Sequence, residues 1–432
     1  MIHYFLIIFT VIVTSLYYFP FELVVLPGIN TKMALAVVGI FGALYRMVMN
    51  RDKVVPKNLL IVFLLAGMVS LVGLFSVIYN NTPDYAYATY LISMSVWLSS
   101  AFVVCLLIEK VHGRLSIPLV CHYLIVVSVV QCFLALLIDF NSTVKNIVDT
   151  YINQDQTFLN EVNRLYGIGA WLDVAGSRFS ACLIMIAYLV NKTKEQLSAK
   201  EIWCYFIAYT IIAVFGNMVA RTTSVGIVLG ILYYIGVVAT NQPTINHSSR
   251  KLLRIFLMTL FVMIPVVYVL YNTNAQLHEL FRFGFEAFFN YVEKGEFETG
   301  STNRLQTMYV FPESLKTWFV GDGYFSNPHY SDPYYVGKTT KFGYYMGTDV
   351  GYLRFIFYFG IAGLLAFSTF IIYSAQTCMR NLPSYKIMFA LLLLSNFVIW
   401  LKVSTDIFLV FALFICVSNM QKKEQDPVLI KQ

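Results

Sequence analysis

The sequence predicts an all-α, polytopic integral membrane protein of about 12 transmembrane helices. The first observation is composition: 58% of the residues are hydrophobic and only 12% are charged, whereas a typical soluble domain has roughly 25% charged residues. The second is a series of long apolar runs. The third is the unequal distribution of basic residues between the segments that join those runs.

The apolar runs lack polar alternation, and most approach the roughly 20 residues that cross a bilayer, so they predict helices and not barrel strands. A helix also satisfies its own backbone hydrogen bonds in lipid. The first run is interpreted as a retained span, because no basic segment precedes it and no small-residue cleavage site follows it. The predicted spans are residues 2–19, 31–49, 59–79, 88–108, 117–138, 179–190, 202–219, 225–239, 255–271, 350–374, 387–401 and 407–420.

The basic residues predict the orientation, since short cytoplasmic loops are rich in Lys and Arg. With the N-terminus inside, most of the 30 basic residues fall in inner segments. Residues 1–432 are then a single transmembrane domain with both termini cytoplasmic. Two long segments, 140–173 and 272–349, are predicted to be outer loops.

The larger outer segment, 272–349, is too rich in Tyr, Phe and Trp to be disordered. Loops of this length usually carry function. Short amphipathic helices are expected at the outer membrane interface, beginning over residues 278–293. The aromatic rings would suit stacking on sugars, and an interfacial aromatic belt is the alternative.

Arginines occur where a lipid-facing helix would not favour them. A charge near or inside a span is costly and usually faces a polar cavity, and the guanidinium fork suits phosphate oxygens. These side chains are predicted to bind a pyrophosphate headgroup near the outer leaflet, and snorkelling to lipid phosphates is the alternative. They are Arg178, Arg221, Arg282, Arg304 and Arg354.

Carboxylates and histidines supply candidate bases. Asp349 stands where the large loop meets the tenth predicted span, where it could accept a hydroxyl proton or cap the helix. Asp322 lies in a Gly-Asp-Gly turn, so turn formation is its alternative role. His329 is a candidate base or a structural loop residue. Other candidates are Glu298, Glu313 and His278.

The sequence predicts no metal site and no cofactor. No His, Cys, Asp or Glu cluster has the spacing of metal ligands, and no Gly-rich phosphate loop follows a strand. The seven cysteines lie within or beside apolar runs, which argues against a disulfide framework.

Several short motifs resemble the large-loop region of O-antigen polymerases. The turn at 220–224, Ala-Arg-Thr-Thr-Ser, resembles the Ser-Arg turn that O-antigen ligases and polymerases share. The resemblance covers about 174–374, roughly half of the chain. The other motifs are 301–304 (Ser-Thr-Asn-Arg), 318–323 (Trp-Phe-Val-Gly-Asp-Gly), 347–354 (Gly-Thr-Asp-Val-Gly-Tyr-Leu-Arg) and 358–363 (Tyr-Phe-Gly-Ile-Ala-Gly).

Two departures refine the resemblance. The related ligases carry a His-Asn pair eleven residues before the glycine that corresponds to Gly360, where this chain has Asp349, which favours a polymerase. Some polymerases have an Arg-x10-Gly signature in each of two large loops. Here Ala175 and Leu315 replace the glycines that would follow Arg164 and Arg304, so donor and acceptor roles are not assigned from this signature.

The resemblance implies a metal-independent GT-C-like glycosyltransferase of a bacterial inner membrane that works on the periplasmic face. The outer loops 140–173 and 272–349 would then be periplasmic. Its donor would be a growing glycan on undecaprenyl pyrophosphate, and its acceptor one repeat unit on the same lipid. Expected partners are these lipid-linked glycans, membrane lipid and a polysaccharide chain-length regulator, with no nucleic acid. Asp349 and Arg304 are the predicted catalytic residues. The predicted substrate-binding residues are Arg178, Arg221, Arg282, Arg354, Asp322, His329 and Tyr352.

Two alternatives remain open. An O-antigen ligase would use the same donor with a lipid A-core acceptor. A polysaccharide flippase would be a transporter, for which paired halves and charged residues deep in several spans are typical.

Overall fold

A computed structural model describes residues 2–50, 56–154, 159, 164–192, 197–239, 258, 261, 265, 268–327 and 343–425. The named helices of this part are α1 Ile2–Tyr18, α2 Thr31–Asn50, α3 Lys57–Asn80, α4 Tyr90–His112, α5 Ile117–Phe140, α6 Ser142–Tyr151, α7 Leu172–Lys192, α8 Ala199–Val219, α9 Thr223–Ala239, α10 Ala275–Gly284, α11 Glu286–Lys294, α12 Gly300–Thr307, α13 Leu315–Phe319, α14 Gly351–Asn381, α15 Lys386–Ile399 and α16 Phe408–Gln425. The strands are β1 Glu22–Leu23, β2 Ile152–Asn153, β3 Ser326–Asn327 and β4 Gly343–Tyr344.

The all-α class is confirmed, and the apolar helices indicate a membrane protein. Within the described residues, six helices are long and apolar enough to cross a membrane: α3, α4, α5, α7, α8 and α14. Shorter apolar helices cover Ile2–Tyr18, Thr223–Val237, Pro383–Ile399 and Phe408–Gln421. The count of twelve spans and the GT-C-like arrangement stay predictions, and most of the predicted span 255–271 lies outside the described residues.

The chain divides into two compact units. Unit 1 comprises Met1–Val120, Asn153–Phe158 and Ser301–Gln432, and unit 2 comprises Cys121–Ile152 and Leu159–Gly300. In unit 1, α14 packs against α3, α13, α15 and α16, while α4 packs against α1, α2 and α16. In unit 2, α7 packs against α8 and α9, and α10 packs against α8.

Helix α14 is discontinuous, which the sequence prediction of a single span over 350–374 missed. Gly360 has φ +69° and ψ −174°, a conformation that glycine alone adopts readily. The Asp322 and Gly323 N–H groups donate to the carbonyls of Phe357 and Tyr358, at 2.6 and 3.1 Å. Irregular backbone in a membrane protein requires such partners, so the Gly-Asp-Gly turn completes the hydrogen bonding at the break.

The predicted amphipathic segment 278–293 forms two helices, α10 and α11, and not one. The Phe285 N–H closes α10 by donating to the Phe281 carbonyl at 3.0 Å, and Phe285 itself lies outside helical geometry. Of the predicted apolar face, Leu280 and Phe281 are buried, whereas Phe288 is exposed. The apolar residues of this segment therefore do not share one environment.

Candidate functional site

The first of two charged clusters lies in unit 1, around the start of α14. Asp349 follows the 3₁₀ turn Tyr345–Gly347, and Val350 occupies the N-cap position of α14. Arg354 lies on the first turn of the helix, and its Nη1 is 3.5 Å from Asp349 Oδ1. The structure thus brings together one predicted catalytic residue and one predicted binding residue.

Arg354 is held from several sides. Its Nη1 donates to Ser404 Oγ at 2.9 Å, and its Nη2 donates to the Phe325 carbonyl at 2.8 Å. The guanidinium carbon also lies 3.7 Å from the centre of the Phe325 ring and 4.9 Å from that of Tyr344. The Arg354 side chain is 9% exposed and that of Asp349 is 14% exposed. A fixed arginine therefore stands beside a carboxylate that solvent reaches.

Two further carboxylates in unit 1 were missed by sequence reasoning. Asp84 Oδ2 accepts the Phe325 and Ser326 N–H groups at 2.8 and 3.2 Å. Asp406 Oδ1 accepts the Phe408 N–H at 2.9 Å. Burial, then the charge of Asp406, raises the pKa of Tyr87 well above its ordinary value, and Arg354 opposes this. Asp406 and Arg354 thus both lie within electrostatic range of Tyr87.

The predicted binding residue Asp322 already has three donors. Its Oδ1 accepts from Lys316 Nζ and Thr317 Oγ1, both at 2.8 Å, and its Oδ2 accepts from the Tyr345 hydroxyl at 3.4 Å. These contacts support the alternative that Asp322 fixes its turn. Tyr352 donates its hydroxyl to the Phe397 carbonyl at 3.0 Å, which ties α14 to α15.

The second cluster lies in unit 2, at the turn between α8 and α9. Arg221 Nε donates to the Phe283 carbonyl at 3.0 Å, and Arg221 Nη2 is 2.5 Å from Glu286 Oε2. Arg221 and Arg164 both lie over the Phe283 ring, 4.3 and 4.9 Å from its centre. Burial lowers the pKa of Arg221, Glu286 opposes this shift, and Arg164 reinforces it. Two cations therefore meet at one aromatic ring.

Helix α7 holds this turn in place. The Thr222 hydroxyl donates to the Asp173 carboxylate, and Ser180 Oγ donates to the Thr222 carbonyl at 2.8 Å. A Cβ at Gly176 would lie 2.9 Å from side-chain carbons of both Ala220 and Thr222, so glycine permits the close approach. Arg178 lies in the same stretch of α7 and is 6% exposed. Sequence reasoning named Arg178 and Arg221 but gave no role to Glu286.

The remaining predicted residues lie elsewhere. Arg282 pairs with Glu293 on the surface, Nη2 to Oε2 at 3.0 Å, and this pairing raises the pKa of Arg282. Arg304 is exposed on α12. His329 lies outside the described residues. Of the predicted residues, the clusters thus contain Asp349 and Arg354 in unit 1 and Arg221 in unit 2, while Arg178 is buried on the neighbouring helix α7.

The two clusters offer different chemistry. In unit 1 a carboxylate that is only partly exposed stands beside a fixed arginine, which suits proton transfer to or from a hydroxyl. In unit 2 two arginines, Arg164 and Arg221, meet at one ring beside the carboxylates of Glu286 and Asp173, which suits an anion. No known protein family, curated protein or solved structure matches the chain in sequence or structure searches.

Proposed function

We propose that the chain is a membrane glycosyltransferase that polymerises lipid-linked oligosaccharide repeats on the periplasmic face. A hydroxyl of the acceptor repeat attacks the anomeric carbon of the donor glycan, a new glycosidic bond forms, and the bond to undecaprenyl pyrophosphate breaks. The observation that carries the proposal is the Asp349–Arg354 pair at 3.5 Å. The motif resemblance at 347–354 supports it.

In this proposal Asp349 accepts the proton of the attacking hydroxyl. The carboxylate is partly open to solvent, so a hydroxyl can approach it, while Arg354 fixes its position. Ser404, Phe325 and Tyr344 in turn hold Arg354. General-base assistance of this kind contributes roughly 10²- to 10⁴-fold to a rate.

The unit 2 cluster is proposed to bind the pyrophosphate of a lipid-linked glycan. Arg221 presents a guanidinium at a turn, Arg164 adds a second charge across the Phe283 ring, and Arg178 lies on the supporting helix. The guanidinium fork offers paired donors that match phosphate oxygens. The proposal assigns no metal to this role.

We expect Arg221→Lys to impair polymer formation nearly as much as Arg221→Ala, by roughly 10²-fold. A lysine is a point charge and cannot serve the Phe283 carbonyl and a second acceptor as the guanidinium fork does. The measurement is the polysaccharide ladder on a gel, normalised to membrane abundance. The control is Arg46→Lys, because Arg46 also pairs with a glutamate, Glu109, at 2.9 Å. Full activity in Arg221→Lys would demote Arg221 to a lipid-contacting residue.

The predicted orientation is tested by cysteine labelling. A cysteine at Ser301 should react with an impermeant maleimide in intact spheroplasts, whereas a cysteine at Ser248 should react only after lysis. Replacement of Cys204, which is exposed, by serine lowers the background. The reverse pattern would place 272–349 in the cytoplasm and remove the basis for a periplasmic enzyme.

The two alternatives predict different products when the chain is deleted. Loss of a polymerase leaves single repeats attached to the lipid A core. Loss of a ligase leaves polymer on the carrier lipid and no glycan repeats on the lipid A core. Loss of a flippase removes both the polymer and the repeats on the core. Transporters also contain discontinuous helices such as α14, so this feature does not distinguish a flippase from a polymerase. The products of the deletion strain do distinguish them.

A further inference from the structure

Glu286 forms an ion pair with the guanidinium of Arg221 in this structure. Its Oε2 lies 2.5 Å from Arg221 Nη2, while its Oε1 accepts the Gly300 N–H at 3.0 Å. The Glu286 side chain is 29% exposed, so the contact has an open side. One carboxylate therefore links the Arg221 turn to the start of α12.

A phosphate group can replace this carboxylate at the same atoms. Carboxylates and phosphates present similar oxygen pairs to a guanidinium fork. Arg164 lies over the same ring, and its buried Nε has no hydrogen-bond partner among the described residues. Without Glu286, the cations Arg164 and Arg221 would be opposed by the Asp173 carboxylate alone, so the cluster can take up an added anion.

The helix that carries Glu286 is shallowly packed. Every residue of α11 is at least partly exposed. Its contacts include the Arg221–Glu286 and Arg282–Glu293 ion pairs, the hydrogen bond from Asn290 to the Glu298 carbonyl at 2.6 Å, and the stacking of Phe289 on Tyr271 and of Tyr291 on Phe297. Segments with few buried contacts open at low free-energy cost.

We infer that Glu286 is an internal occupant of the pyrophosphate site and that substrate pyrophosphate displaces it, which releases α11 from the Arg221 turn. The Gly300 N–H, at the start of α12, then also loses its acceptor. Binding of the lipid-linked substrate is thereby coupled to a rearrangement of the large loop. This inference rests on the proposed function, because it takes the Arg221 cluster as the pyrophosphate site.

The test uses the full chain, purified in detergent, with Cys204→Ser and a reporter cysteine at Ala287 in α11. Ala287 is half-buried, and alanine to cysteine is a small change. The rate of maleimide labelling is followed while inorganic pyrophosphate is added, with sodium chloride at matched ionic strength as the control for screening. We expect pyrophosphate to raise the rate about tenfold, as it would if Glu286 occupies the site about nine-tenths of the time.

Glu286→Gln should label at the high rate without pyrophosphate and respond little to it, because the glutamine keeps the size but loses the charge. Glu293→Gln is the matched control on the same helix, since Glu293 pairs with Arg282 and not with Arg221. The Glu293→Gln variant should be labelled at the low rate without pyrophosphate and should respond fully when pyrophosphate is added. An unchanged rate with pyrophosphate, or a slow rate in Glu286→Gln, would overturn the inference.

Phosphatidylglycerol vesicles distinguish a lipid headgroup from the substrate anion. If these vesicles raise the rate as much as pyrophosphate does, the cluster binds membrane lipid and the substrate-gated release is wrong. The assay requires no polymerisation, so the two proposals fail separately. If the chain shows the labelling response but makes no polymer, the proposed function alone is wrong. If it makes polymer but shows no labelling response, the inference alone is wrong.

Discussion

Asp349→Asn is expected to abolish long-chain polysaccharide while the protein accumulates normally in the membrane. Asparagine keeps the size of the side chain and its capacity to accept backbone hydrogen bonds, but it cannot take a proton from a sugar hydroxyl. The loss should approach the roughly 10²- to 10⁴-fold contribution of a general base. A helix cap alone would cost little on this substitution. The measurement is the polysaccharide ladder, which should collapse to a single repeat on the lipid A core.

The matched control for Asp349→Asn is Glu109→Gln. Glu109 is also a carboxylate of unit 1 in an ion pair with an arginine, 2.9 Å from Arg46 Nη2. Loss of that pair should leave the ladder intact, which separates loss of a base from loss of an ion pair. A full ladder in Asp349→Asn would exclude Asp349 as the base. The search would then move to Asp406, which sequence reasoning missed, and to Asp322, Glu313 and His329.

The sequence predicts the long helices well because exclusion from water is a local property of a run of residues. The predicted spans 59–79, 88–108 and 117–138 fall on α3, α4 and α5 to within about one helical turn. Several consecutive apolar side chains are enough to require a helix in lipid. No information from distant parts of the chain is needed for this conclusion.

The break in α14 could not be predicted in the same way. Its stability depends on N–H groups of Asp322 and Gly323, which stand more than 30 residues earlier in the chain. Without those donors a continuous helix is the better prediction for an apolar run. The Ser76 hydroxyl, from α3, is a second donor to the Tyr358 carbonyl, at 2.7 Å.

The candidate site was predictable only where its members are close in sequence. Asp349 and Arg354 lie five positions apart, on either side of a helix start, so only a short stretch of backbone separates them. Asp84 and Asp406 come from two short loops at opposite ends of the chain. In the sequence, Asp84 and Asp406 are marked only as carboxylates next to a predicted span. Glu286 was not predicted as a site residue, because the sequence around it has the pattern of an ordinary amphipathic helix.

Gly360→Ala is expected to prevent normal accumulation of the protein, because Gly360 is the position where α14 changes direction. With φ +69° and ψ −174°, an alanine there is strained by roughly 1–3 kcal/mol even in open space. The space is not open. A Cβ at Gly360 would lie 2.2 Å from the Phe319 carbonyl oxygen and 2.7 Å from the Val320 nitrogen. Both are backbone atoms, so no side chain can rotate away to relieve the clash.

Relief of that clash would move the 319–320 backbone, which leads directly into the Gly-Asp-Gly turn that satisfies the Phe357 and Tyr358 carbonyls. Membrane abundance and thermal unfolding of the purified chain are the measurements, and both should fall well below the parent. The control is Gly67→Ala, since Gly67 is within α3 and a Cβ there meets nothing within 4 Å. That change should be neutral or stabilising by about 0.5–1 kcal/mol. Parental abundance and melting temperature in Gly360→Ala would mean that α14 tolerates a continuous helix and that the turn at 321–323 is not needed to complete it.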